Sequence, residues 1–521
     1  MPDQKLENVG YDPSNDHWEV IVRHTGDLSF LSKEFSQITV TNLLGNFSIV
    51  SLPSAYLPVL SALPNVSFIE KPKRLFFSAI EARQSSCITS LYQSPWNLNG
   101  EGILIGIVDS GITLTHPDFQ NSDGTTRFIR FWDQTSDGTP PVGYPMGTEW
   151  SSEQINTALR DNLPLPEDRS GHGTAVAGIA AGNGAASQGR YQGIAPKASM
   201  IAVRLGSPSS TSFPRTTQLM MGIDYCIRTA AENNLPLALN LSFGNNYGSH
   251  DGSSLLETYI NAASGHGRVT ICTGSGNEGP SGTHAFGKLS SSVKTIELSV
   301  GSYEPSFNIQ LWKNYVDEFS IVLESPSGVS IGPILPLLGP QRLMVDRTEL
   351  LIFYGEPSPF STSQEIYIDF IPIGSYVGSG IWKIRLLPQR IIDGTYHMWL
   401  PGGEILNRNT RFLSSSPDTT LTIPSTSSYA DFSGRGYTRY PMQIKPDLAA
   451  PGVNLNAPAP PNQYITVTGT SFATPVVTGS AALMMQWGII QGNDPYLYGE
   501  KVKAYMLKGA RHLPGSSDYP N

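Results

Sequence analysis

The sequence predicts an α/β protein built on a doubly wound parallel sheet, with a small α+β unit ahead of it and an all-β unit inserted into it. Three observations lead to that reading. From Gly102 onward, continuous apolar runs alternate with helical patterns, as in parallel strands covered on both faces. The stretch before them orders itself roughly as β-α-β-α-β. Between about Ser291 and Arg411, closely spaced aromatic-rich β runs with Gly/Pro turns displace the helices.

The elements follow in chain order. Residues 1–84 form the first unit, with β-like runs at Trp18–Arg23, Phe47–Leu52 and Val66–Glu70 and helical patterns at Leu28–Phe35 and Ala55–Leu63. A polar linker, Glu81–Ser86, ends it. Residues 85–290 carry the first part of the α/β unit. Its buried strands are Ile103–Val108, Met200–Val203, Ala238–Leu241 and Val269–Cys272, and its helices Gly173–Ala181, Thr217–Asn233 and Ser253–Ser264. Residues 291–412 read as a β-sandwich or jelly roll. Residues 413–521 return to the α/β unit with a long small-residue helix, Thr470–Gln491. The two halves of the α/β unit must therefore meet around the insertion.

Composition narrows the function. The 521 residues carry a net charge of −9, with 39% hydrophobic and 15% charged residues, which suits buried cores rather than disorder. An acidic chain gives no electrostatic footprint for nucleic acid or an anionic membrane. The three cysteines, Cys87, Cys226 and Cys272, lie far apart and read as buried free thiols. No signal peptide is visible at the polar N-terminus, and the longest apolar stretch, Ala481–Ile490, is too short to cross a bilayer.

Four segments carry chemistry, all in the α/β part. They are Val108-Asp109-Ser110-Gly111, Gly171-His172-Gly173-Thr174, Gly274-Ser275-Gly276-Asn277 and Gly469-Thr470-Ser471-Phe472-Ala473-Thr474-Pro475. Ligands and catalytic groups gather at the C-terminal ends of parallel strands. A carboxylate there can hold an imidazole in one tautomer, so that the imidazole takes a proton from a hydroxyl. A serine that opens a helix stands among free backbone N–H groups, and Asn277 adds a side-chain NH2 for a developing oxyanion. Each residue alone reads as structural; the four together, in the order Asp, His, Asn, Ser, do not.

These segments resemble the motifs of the subtilase family of serine proteases. The resemblance implies a subtilisin-like fold with Asp109 as orienter, His172 as general base and acid, Ser471 as nucleophile and Asn277 as oxyanion donor. It also implies that Ser242, Phe243 and Gly244, in Asn240-Leu241-Ser242-Phe243-Gly244, line the S1 pocket and pair with substrate backbone. His116 and Asp118 resemble the structural loop after the catalytic aspartate. The layout, with a leading unit and a β insertion between Asn277 and Ser471, is similar to the Csp-type germination proteases of spore-forming bacteria. That implies a prodomain which is cut by the enzyme itself and stays in the active cleft, a protein substrate such as a cortex-lytic hydrolase zymogen, and a spore-associated or pre-assembly cytoplasmic location. The cut is expected near Gln84–Ser85, with glutamine at P1.

No cofactor is implied and no metal ligand set is visible; a structural calcium stays open, because Ala180–Gly193 has few carboxylates. The gap between Asp109 and His172 reads as a polar loop through Trp132-Asp133-Gln134 and Pro164–Arg169. The chain stops where relatives continue into a final strand. Three other readings remain: a subtilisin-like protease of another substrate, a catalytically silent scaffold, and an insertion that stacks sugars on Trp312, Trp382 and Trp399.

Overall fold

The computed structural model describes residues 9–77, 88–206 and 214–513, apart from 13, 74–75, 280, 338, 357–358, 360, 403–405, 407–408, 414–428, 435, 440–442 and 512. Cys87 and the expected Gln84–Ser85 cut lie outside them.

The leading unit contains β1 (Tyr11–Asp12), β2 (His17–His24), α1 (Phe30–Glu34), β3 (Thr39–Leu43), β4 (Phe47–Pro53), α2 (Leu57–Ser61), β5 (Val66–Glu70) and β6 (Phe76–Phe77). The first five strands form one antiparallel sheet, ordered β1-β2-β4-β3 with β5 on β2. The three expected strands and two helices are present, and β1 and β3 add to them. Successive side chains of β2 point to opposite faces. Val20 and Val22 join Leu31, Val50 and Leu60 in the unit's own core, while Ile21, Phe47 and Ile49 face the next domain.

That domain holds β7 (Leu104–Asp109), β8 (Phe128–Asp133), β9 (Thr148–Ser151), α3 (Ser152–Asp161), α4 (His172–Ala181), β10 (Ser199–Arg204), α5 (Thr216–Glu232), β11 (Leu237–Leu241), β12 (Phe243–Gly244), α6 (Leu255–Ser264) and β13 (Val269–Thr273). The sheet order is β13-β11-β7-β10-β8-β9, parallel except for the edge strand β9. The expected polar loop at Trp132-Asp133-Gln134 is corrected by β8. Trp132 is fully buried, and Asp133 is buried because it takes the Arg204 guanidinium at 2.9 Å. Cys226 and Cys272 are buried free thiols, and burial pushes Cys272 up to about 11.

The insertion comprises β14 (His284–Lys288), β15 (Lys294–Val300), β16 (Phe307–Asn314), β17 (Glu318–Glu324), β18 (Ser330–Ile334), β19 (Gly339–Val345), β20 (Thr348–Tyr354), β21 (Ser363–Pro372), β22 (Gly380–Arg390), β23 (Thr395–Trp399) and β24 (Arg411–Phe412). Two antiparallel sheets, β14-β23-β16-β21-β20-β19 and β18-β17-β22-β15-β24, enclose one apolar core. Successive strands alternate between the sheets, except that β17 and β18 pair within the second and the β19–β20 hairpin extends the first beyond β21. This is the strand order of a jelly roll. The insertion begins earlier than residue 291, since β14 is hydrogen-bonded into it.

After the insertion come β25 (Gly436–Tyr437), β26 (Ile444–Lys445), β27 (Leu455–Ala459), β28 (Gln463–Val467), α7 (Thr470–Met485) and α8 (Gly499–Gly509). Among the described residues, no helix is long and apolar enough to cross a membrane.

Polar groups fix how the three units meet. On α5, the fully buried Asp224 accepts from Leu44 N of the leading unit at 2.9 Å, from Tyr144 Oη at 2.8 Å and from Arg228 Nε at 2.6 Å. Glu70 of the leading unit accepts the Leu255 N–H at the head of α6. The insertion meets the α/β domain through the Trp399 indole, which is sandwiched between His250 at 3.6 Å and His284 at 3.7 Å. His284 Nε2 is 3.0 Å from His397 Nδ1.

Two outcomes follow. Asp224→Ala leaves the Tyr144 hydroxyl and the Leu44 N–H without their acceptor, and should cost about 2–3 kcal/mol by urea unfolding. Burial, with Arg439 and Lys73 nearby, holds His250 at about 4; burial and Arg439 hold His397 at about 4, and burial holds His284 well below its usual value. Unfolded histidines titrate near ~6.5. The unfolded chain therefore binds the extra protons, so stability is full above about pH 6.5 and is lost as pH falls toward 4. The slope should be roughly 1.4 kcal/mol per pH unit for each imidazole. His397→Gln should flatten the pH dependence of the urea midpoint in this window.

Candidate active site

The central strand β7 ends in Asp109, and the helix α4 begins with His172. Asp109 Oδ1 lies 2.6 Å from His172 Nδ1 and also accepts the Ser110 N–H at 2.8 Å. A carboxylate oxygen only accepts here, so Nδ1 carries a proton, and in the neutral imidazole Nε2 is then the nitrogen with the lone pair. Both side chains are buried, which strengthens the pair.

A helix start leaves its first N–H groups without partners. In α4 each finds one: His172 N donates to Ser170 Oγ, Gly173 N to Ser110 Oγ, and Thr174 N to Asp168 Oδ2. Asp168 is the hub. Its carboxylate accepts from Ser110 Oγ, Ser170 Oγ and Gly171 N on one oxygen, and from Thr174 N and Thr174 Oγ1 on the other. It thereby ties the residue after Asp109 to the residues flanking His172, and its charge suits the helix N-terminus. Sequence reasoning missed Asp168; a carboxylate just ahead of a helix start was the available signal. Gly173 has to be glycine, because a Cβ there would stand 2.2 Å from Gly111 O.

Ser471 occupies the first turn of α7, buried, after Gly469 at φ 150°. Pro475 lies inside that helix and has no N–H for the Ser471 carbonyl four residues back. The carbonyl instead accepts Ser242 Oγ at 2.7 Å, and Ser471 Oγ donates to the Ser242 carbonyl at 3.1 Å. Asn240 Nδ2 donates to Ser242 Oγ, and Thr478 Oγ1 to Asn240 Oδ1. A buried polar ladder thus joins Asn240-Leu241-Ser242 to the helix that carries Ser471. The His172 ring stands 5.2 Å from the Phe472 ring and 6.4 Å from the Phe243 ring.

Asn277 lies on the loop after β13. Its Oδ1 accepts from Thr470 N at 3.0 Å and Thr470 Oγ1 at 3.1 Å, and its own N–H donates to Glu278 Oε2. Thr470 N can only donate, so the amide oxygen is spoken for and the NH2 is the group left to donate. The structure thus brings Asp109 to His172, Asn277 to Thr470 beside Ser471, and Ser242 onto Ser471. Phe243 and Gly244 form β12, which pairs antiparallel with β6 of the leading unit: Phe77 opposite Phe243 and Phe76 opposite Gly244.

His116 and Asp118 are buried and structural. Asp118 accepts from Tyr464 Oη and Ala186 N, and its own N–H donates to His116 Nδ1. Beside them, buried Arg127 donates to the carbonyls of Asp118, Ala181 and Ala198. Among the described residues, no three His, Cys, Asp or Glu side chains are grouped to hold a metal ion.

Asp168→Ala should leave the Asp109–His172 pair loosely held. A displacement of about 1 Å is enough to lower kcat on the order of 10²-fold toward a peptide substrate. Asp168→Asn, which keeps one acceptor oxygen, should recover part of that loss.

The subtilase family model matches residues 100–519, and the Csp protease B prodomain model matches residues 3–73. The CspB protease of Clostridium perfringens is similar in structure, with a TM-score of 0.73 and 36% identity over 84% of this chain and 93% of that one. The minor extracellular protease Vpr of Bacillus subtilis is 25% identical over 82% of this chain, which spans 50% of Vpr's length. Serine protease AprX of the same organism is 23% identical over 88% of this chain and 72% of its own length. With both models matched, the chain belongs to the subtilase family, as a subtilisin-like serine protease of the Csp type.

Proposed function

We propose that this chain is a serine endopeptidase whose first substrate is its own leading unit, and whose physiological role is to activate a cortex-lytic hydrolase zymogen during spore germination. The observation that carries the catalytic reading is the buried 2.6 Å pair of Asp109 and His172, whose imidazole stands 5.2 Å from the ring of Phe472, the residue after Ser471. In this reading Ser471 Oγ attacks the scissile carbonyl carbon, and His172 Nε2 takes the hydroxyl proton and passes it to the leaving amine. Asp109 keeps the imidazole in the Nδ1–H tautomer and balances the imidazolium that forms. The Asn277 NH2 donates to the developing oxyanion. Water then reverses the proton traffic and releases the acyl group.

The β6–β12 pairing supports self-processing. A chain that pairs antiparallel with Phe243–Gly244 runs from Gly244 toward Ser242, whose carbonyl holds the Ser471 hydroxyl. A substrate N–H arriving at that carbonyl would compete with the hydroxyl and turn it toward His172. The germination role rests on the Csp protease B prodomain match and the likeness to the clostridial CspB protease. Against the sugar-stacking alternative, Trp382 and Trp312 are buried and Trp399 is stacked between two histidines.

A fluorophosphonate probe should label Ser471 in the wild type, and no label would contradict the catalytic reading. Intact mass should show two fragments, cut on the C-terminal side of Phe77, where the sequence reading places the site near Gln84–Ser85. Ser471→Ala should remain one chain; a cut that survives this substitution would refute self-processing. Asn277→Ala should keep the acyl-enzyme route but lose about 10²–10³-fold in turnover, the cost of one oxyanion donor.

A further inference from the structure

The segment from Asn245 to Asp251 continues directly from the strand Phe243–Gly244, on which the leading unit's β6 lies. It has no regular structure of its own to hold it, and His250 sits at φ 53°, in the left-handed region that costs a residue with a Cβ. Segments of this kind open locally unless something outside them adds contacts.

The inserted jelly roll adds them from one sheet face. Strands β14, β23 and β16 turn Ala285, Met398, Ile309 and Leu311 into the jelly-roll core. The alternate positions turn the other way; on β16 Asn308 and Gln310 are buried, and on β14 and β23 His284, His397 and Trp399 are half-buried. On that face Gly248 N donates to Gln310 Oε1 at 2.9 Å, and Asn308 Nδ2 donates to Tyr247 Oη at 3.1 Å. The Trp399 indole lies flat on the His250 ring, with centroids 3.6 Å apart and planes 5° apart. His284, directly opposite Trp399 in the β14–β23 ladder, backs the indole at 3.7 Å. The Trp399 Nε1–H is buried and meets no acceptor among the described residues, so the stacked faces are what hold this side chain.

We infer that the insertion is a positioning element for the substrate strand, and that Trp399, stacked on His250, is the residue through which it fixes the segment following Phe243–Gly244. The insertion touches none of the Asp109, His172 or Ser471 contacts described above, so its influence falls on substrate binding rather than on the proton transfers. The kinetic part of this inference rests on the protease reading, and its structural part does not.

The test uses the full chain with Trp399→Ala and Trp399→Phe, followed by amide hydrogen exchange and by steady-state cleavage of a peptide. In Trp399→Ala the amides of residues 245–251 should exchange at least about tenfold faster while β7 keeps its protection, and Trp399→Phe should restore the slow exchange. The KM for the peptide should rise about tenfold with kcat changed less than about twofold. Unchanged exchange at 245–251, with β7 still protected, overturns the inference whether or not the chain cleaves anything. A fall in kcat at constant KM overturns it as well. A wild type that neither cleaves nor takes the fluorophosphonate defeats the protease reading, and exchange then decides this inference alone. If Trp399→Ala fails to fold, His250→Ala removes the same stack from the other side, and the same results decide.

Discussion

Everything at the site hangs on one buried carboxylate that performs no chemistry. Asp168 accepts five donors drawn from the end of the central strand and the start of the helix carrying His172. Asp109 and His172 come from separate elements, and a 2.6 Å contact between them requires strand end and helix start to be fixed against each other. Regular backbone pairing does not join them, because the first N–H groups of a helix have no intrahelical partner and here turn to side chains. A charge-assisted hub, buried where water does not compete, can.

Ser471 poses a different problem, because a jelly roll interrupts the chain between Asn277 and Ser471. Two contacts close the gap. Thr470 takes the Asn277 amide oxygen, and Pro475, by lacking an N–H, frees the Ser471 carbonyl for Ser242. Ser471, the Asn277 loop and the Asn240–Ser242 segment are thus cross-linked by hydrogen bonds among residues remote in sequence. The inserted domain and the leading unit then meet consecutive stretches of the same chain, Trp399 lying on His250 and β6 pairing with Phe243–Gly244.

Much of this could be read in the sequence, for reasons that differ by element. Ile103–Val108 and Ala238–Leu241 declare themselves because a parallel strand buried on both faces needs an unbroken apolar run. Asp109, His172, Asn277 and Ser471 stand out because their neighbours are small residues that close packing demands, Gly173 being the clearest case. Trp132-Asp133 was opaque, since a buried aspartate looks like a loop residue until its partner Arg204, on another strand, is known. Asp168 was opaque for the same reason: its donors converge only in three dimensions. The start of the insertion at β14 was hidden because His284-Ala285-Phe286 has too few residues to show a strand period on its own.

The central claim is that Asp109, fixed through Asp168, holds the His172 ring with its proton on Nδ1. Nitrogen NMR on chain labelled at histidine, recorded at alkaline pH and assigned with a His172→Gln variant, tests it most directly. The account predicts an Nδ1–H tautomer for His172 in the wild type that gives way to a mixture of tautomers in Asp168→Ala. An Nε2–H tautomer in the wild type would contradict it.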